Sequence, residues 1–195
     1  MHRKLFLAAA MATLSGCHLV GSDRPMFTGA EGEAGPALKP GLWAIVEPGC
    51  KFNTSSSPQK WPACATPVVL GDGSARDGRA AADGPMAVTV AGGDPVIVQA
   101  QSSEPGAARF AFLGLRPLAM DSAGYVSRAR VWPALCDDPR GRPGRLPTGL
   151  VSTRSGDCMA RAPGPVRRAV AQSEDCSFQG DSEDAGRVAY WLRPR

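Results

Sequence analysis

Histidine, the side chain most often recruited for proton transfer and metal binding, occurs only at His2 and His18, so the chain from Lys39 onward has none. A Ser-His-Asp triad, a Cys-His pair and a histidine-ligated zinc site are therefore excluded from that stretch. Carboxylates, cysteines and arginines remain. Asp72, Asp77, Asp83, Asp94, Asp121, Asp137, Asp138, Asp181 and Glu183 fall mostly in turn-like segments, where aspartate ordinarily shapes the backbone. Only Glu47 lies on a predicted strand. Asp181, Glu183 and Asp184 lack the twelve-residue calcium loop with its terminal glutamate. No metal site and no cofactor is predicted.

Arginine outnumbers lysine 18 to 4, a bias that a GC-rich genome also produces. Between Arg128 and Arg168 nine arginines face three aspartates, a local charge of +6. Arg128, Arg130, Arg140, Arg142 and Arg145 form the candidate basic surface. Lipid phosphates, lipopolysaccharide and cell-wall carboxylates all suit the arginine fork.

The N-terminus carries a basic His2-Arg3-Lys4 and then an uncharged apolar run from Leu5 to Leu14. That is the pattern of a secretory leader, and the run is too short for a membrane span of roughly 20 residues. The run closes on Leu14-Ser15-Gly16-Cys17, which resembles the lipobox of bacterial lipoproteins. The resemblance implies cleavage after residue 16, a diacylglycerol on the Cys17 thiol and anchorage to a membrane through that lipid. His18, in place of an aspartate, favours the outer over the inner membrane of the cell envelope. Losing Arg3 and Lys4 lowers the formal charge from +4 to +2, which disfavours nucleic acid as a partner. Residues 17–38 read as a lipidated flexible tether, reaching roughly 25 Å for a chain of that composition. No later apolar stretch approaches spanning length.

Export makes disulfides the default for Cys50, Cys64, Cys136, Cys158 and Cys176. Several pairings are compatible with five cysteines. Cys50 with Cys64 is the simplest local bridge, and such a loop contributes about 3 kcal/mol in the chain-entropy account. Cys158 and Cys176 flank a predicted helix about 15 Å long, beyond the roughly 7 Å a disulfide spans. Cys136 with Cys158 is therefore favoured, leaving Cys176 unpaired. Ser57-Pro58-Gln59-Lys60 fits the S-x-x-K pattern of penicillin-binding proteins, but the companion motifs are missing, and it reads as part of a polar loop.

Residues 39–195 read as a single β-rich domain. Leu42, Ala44 and Val46 share one face of a first strand. Met86, Val88 and Val90 match Val96, Val98 and Ala100 in a hairpin around Gly92-Gly93-Asp94, with Thr89 and Gln99 outside. A longer hairpin joins residues 108–120 to 125–135. Pro165 to about Glu174 forms the one helix, with Val166, Ala169 and Val170 as its apolar stripe and Arg167 and Arg168 facing away. Val188, Tyr190 and Leu192 are expected on the inner face of a last strand. These elements predict a mainly β (α+β) fold: an antiparallel sandwich or barrel-like sheet with one short C-terminal helix, stapled by disulfides. The expected function is a non-enzymatic binding or assembly role in the envelope, toward an envelope protein, lipopolysaccharide or peptidoglycan. Two alternatives stay open: a hydrolase using two carboxylates about 5–9.5 Å apart, and an inhibitor of a lytic enzyme presenting loop 51–63.

Overall fold

Period-two alternation of apolar side chains marks the strands, and those strands close on themselves. The computed structural model describes residues 18–28, 35–80, 84–102, 108–136, 146–153, 156–177 (backbone alone for 175–177) and 186–194. Eight strands form a closed antiparallel barrel: β2 (Gly41–Val46), β3 (Ala65–Gly71), β4 (Ser74–Asp77), β5 (Met86–Ala91), β6 (Val96–Gln101), β7 (Phe110–Met120), β8 (Val126–Pro133) and β11 (Arg187–Arg193). Neighbours follow chain order from β2 to β8, and β11 then fits between β8 and β2. The β6–β7 pairing, from Val96↔Leu115 to Gln101↔Phe110, completes the ring. Of the two architectures the alternation allowed, the barrel is the one formed. Closure leaves none of these eight strands with an unpaired edge.

A small annex extends from β7. β1 (Val20–Ser22) pairs antiparallel with β7 and parallel with β10 (Cys158–Ala160), and β10 pairs with β9 (Leu150–Ser152). The helix α1 (Pro163–Ser177) lies against the outer wall. It starts one turn-half earlier than its apolar stripe predicts, with proline tolerated in the first turn.

Three apolar layers result. Inside the barrel are Trp43, Val68, Ala75, Val96, Val98, Leu115, Val126, Ala129 and Ala189. Between the barrel and the annex are Phe27, Ile97, Phe112, Trp132 and the Val166, Ala169 and Val170 stripe of α1. The third lies under the Cys50–Cys64 loop, where Leu42, Ala44, Val46 and Ala65 meet Trp61. Phe52 packs edge-on against Trp61, ring centroids 4.9 Å apart.

Both expected disulfides are present. Cys50–Cys64 and Cys136–Cys158 have Cα separations of 5.8 and 5.7 Å, inside the usual range.

Several expectations are corrected. The tether predicted over residues 18–38 is not what residues 18–28 form: Val20, Met26 and Phe27 are fully buried and β1 is part of the sheet. Gln99 accounts for part of this. Its side-chain oxygen accepts the N–H groups of Met26 (2.7 Å) and Phe27 (3.0 Å), and its amide donates to the Phe27 carbonyl (3.1 Å). The domain therefore begins well before Lys39. On β11, Ala189 and Trp191 point inward, while Tyr190 and Leu192 join the outer layer. Both faces of this strand are apolar because both are covered, so alternation alone could not choose between them. Arg167 does not face away: it donates to the Gly92 carbonyl (2.8 Å) and lies over the Phe27 ring. Arg168 is exposed, as its place opposite the apolar stripe predicts, and donates to the Thr148 carbonyl (2.8 Å).

Candidate functional site

One end of the barrel is sealed. Residues 35–40 run from Val90 of β5 to Val126 of β8, across the end that carries the β5–β6 and β7–β8 turns. Gly35 packs so closely on the Val90 backbone that a Cβ would not fit. Val126 donates to the Ala37 carbonyl (2.9 Å), and Lys39 donates back to Val126 (3.2 Å). The indole N–H groups of Trp43 and Trp191 donate to the carbonyls of Lys39 (2.7 Å) and Pro40 (2.9 Å). Lys39 Nζ reaches Asp121 Oδ2 at 2.8 Å and lies 3.9 Å from the Trp191 ring centre. Lys39 and the N–H groups of Tyr125 and Ala123 hold the Asp121 carboxyl below the usual carboxylate range.

Above this floor the inward positions mix small and larger apolar side chains. Trp43, Trp191 and Leu115 fill the lower part. Toward the opposite end, inward positions are held by Val98, Ala100, Ala111, Ala129, Val131 and Ala189. Eight strands enclose just enough space for side chains to fill or for one small ligand. Ile45, Met86, Val88, Leu113 and Val131 belong to the inner layer yet keep part of their surface exposed. The inner wall is thus an apolar cup, with Trp43, Trp191 and Leu115 at its base and alanine and valine together with Ile45, Met86 and Leu113 above.

Polar groups collect at the upper rim. Glu47 and Arg187 pair there at 3.1 Å. Asp77, buried and in register with inward Val68, accepts the Arg79 N–H at 2.7 Å. The Arg79 guanidinium donates to the carbonyls of Pro62 (2.9 Å) and Ala65 (2.8 Å), clamping the Cys50–Cys64 loop to the rim. In that loop Ser57 precedes the 3-10 turn Pro58–Lys60 and its hydroxyl donates to the Gln59 side chain. Ser57 and Lys60 are both exposed, without the buried setting a serine nucleophile needs.

The basic surface is only partly described. Arg128 lies over the Tyr190 ring, 5.4 Å from its centre. Arg130 is in register with Arg116 on one side and Val188 on the other. Arg116 is itself matched by acids: its guanidinium grips Glu174 at 2.6 and 2.8 Å and reaches Asp94 at 3.1 Å. Those contacts, the Glu174 hydrogen bond first, raise its pKa further above the ordinary arginine value. Arg140, Arg142 and Arg145 lie outside the described residues, as do Cys17, the leader and the Cys176 side chain.

A second concave feature sits on the annex. Asp23, Arg24, Val151, Thr153, Met159 and Arg161 line a shallow depression of about 440 Å³. Among the described residues no group of three or more His, Cys, Asp or Glu side chains is placed to hold a metal ion, and no helix is long and apolar enough to cross a membrane.

The small inner face of the barrel is the feature that sequence reading missed. Alternation already assigns Ala100 to the inner face of its hairpin, but only closure of the barrel sets it on one wall with Ala111, Ala129 and Ala189, one from each of β6, β7, β8 and β11. Compared with protein-family models, with curated proteins and with solved structures, the chain matches none, and its fold and site rest on its own residues.

Proposed function

We propose that the protein is a lipid-anchored, non-enzymatic binding module of the cell envelope whose barrel holds an elongated apolar ligand, such as an acyl chain. The observation that carries the ligand reading is the cup: a sealed base, and inward alanine and valine side chains above it beside apolar neighbours that keep part of their surface exposed. Apolar lining with a few polar groups at the entrance is the usual make-up of a small-molecule site. The anchoring half rests on Leu14-Ser15-Gly16-Cys17.

The carboxylates give the hydrolase alternative little support. Glu47, Asp77, Asp94, Asp121, Asp157 and Glu174 each hold a contact of the fold. Loop 51–63 lies on the barrel wall, with Trp61 buried beneath it.

Native mass spectrometry of the full chain, purified without detergents that compete for the cup, tests the ligand. A bound lipid-class molecule is expected. It should be lost in Ala100→Phe, which adds bulk to the upper cup at a partly exposed position. A wild-type chain that carries no ligand and also takes up none from an added lipid extract would contradict the proposal.

A further inference from the structure

We infer that the annex, and not a spacer, meets the membrane: the β1–β10–β9 face stands directly on phospholipid headgroups. The inference rests on the anchoring reading of Cys17 and is independent of the ligand in the cup.

The chain next to Cys17 is stitched down at once. The His18 carbonyl accepts the Cys136 N–H at 2.8 Å, and the Leu19 carbonyl accepts the Cys158 N–H at 3.0 Å. Leu19 N–H donates to Asp157 Oδ1 at 3.1 Å. The His18 ring lies against Gly156, leaving no room for a Cβ there, and the Gly156 φ of 94° disfavours a side chain independently. The Cys136–Cys158 bridge ties both partner segments together. Consecutive Cα atoms are 3.8 Å apart, so acyl chains on Cys17 start within one peptide unit of this stitched region. A tether of roughly 25 Å would have let the domain turn freely above the bilayer. A single peptide unit does not.

The depression on the same annex, with Thr153 nearest this point and Arg24 and Arg161 beyond the far end of β1, has the chemistry of an interfacial contact. Val151 on β9 is 45% exposed. Arg24 and Arg161 line the same depression, with Asp23 beside Arg24, and the Arg24 guanidinium donates to the Arg161 backbone carbonyl at 2.8 Å. Arginine forks match phosphate oxygens, and apolar side chains between them enter the headgroup layer. The hairpin tip with Met120 and Tyr125 also exposes apolar surface, but it lies at the sealed end of the barrel with no link to the anchor.

Hydrogen–deuterium exchange on the full lipidated chain tests this, in vesicles of mixed zwitterionic and anionic phospholipid, with the Cys17→Ala soluble form as reference. Intact mass first establishes the acyl groups. Exchange should slow across residues 150–161 and stay unchanged across 118–126. Arg24→Gln with Arg161→Gln should weaken that protection in anionic vesicles several-fold more than in purely zwitterionic ones. A Gly/Ser insertion of six residues between Cys17 and His18 should relax it. Protection at 118–126 instead, or none at 150–161 in a chain shown to carry acyl groups, overturns the inference. A chain without acyl mass overturns the anchoring reading and this inference with it, while leaving the cup unaffected.

Discussion

Gln99 shows how a single side chain can tie distant parts of this fold together. Alternation correctly places it on the outer face of β6, where a solvated glutamine is the ordinary expectation. It is instead 3% exposed, because its amide satisfies three backbone groups of Met26 and Phe27. Nothing local in the sequence marks a partner more than seventy residues away, which is why residues 18–28 read as a tether. Gln99→Ala leaves those backbone groups buried and unmatched, and should cost about 2 kcal/mol in urea unfolding; a cost near zero would mean water replaces the amide freely. Asp121 makes a different test. Its carboxyl is held below the usual range by Lys39 and two backbone N–H groups. A folded pKa below the unfolded value of about 3.9 stabilises the fold above that value, and the gain is lost as pH falls through the folded pKa. Asp121→Asn should therefore lower the urea midpoint at pH 6 more than at pH 3. An equal deficit at both would assign its effect to the turn alone.

At the scale of elements, hairpins and helix were legible because each is specified locally. The β5–β6 register follows from Val88, Val90, Val98 and Ala100, and α1 from Val166, Ala169 and Val170. Both disulfides followed from loop and helix geometry. The phase of β11 was not legible, because Tyr190 and Leu192 lie against the Cys50–Cys64 loop while Ala189 and Trp191 face the barrel interior. The N-terminal segment was not legible either. Phe27 is almost fully buried and meets Phe112 edge-on at 6.1 Å. Truncating it removes a large core side chain, so Phe27→Ala should cost about 3–5 kcal/mol. A tether residue would cost within about 0.5 kcal/mol, so a thermal melt or urea titration separates the two readings directly.

At the scale of the whole molecule, the same strand pattern is compatible with two sheets face to face or with one sheet closed. The choice rests on long-range pairings, β6 with β7 and β11 between β8 and β2, that no local residue pattern announces. Closure is what turns scattered alanines into a shared inner wall. It also separates two surfaces: the sealed end with Lys39 and Asp121, and the annex of β1, β9 and β10.

The most direct test of that space is a titration of the full chain with a fluorescent fatty-acid probe that accepts excitation from tryptophan. Trp43 and Trp191 line the cup, so saturable binding should quench their emission and raise that of the probe. Ala100→Phe and Ala111→Leu should each weaken binding about tenfold or more while leaving the melting temperature near that of the parent chain. Saturable binding lost on filling the cup is the predicted result. Binding that is absent, or that persists undiminished in both folded variants, would contradict it.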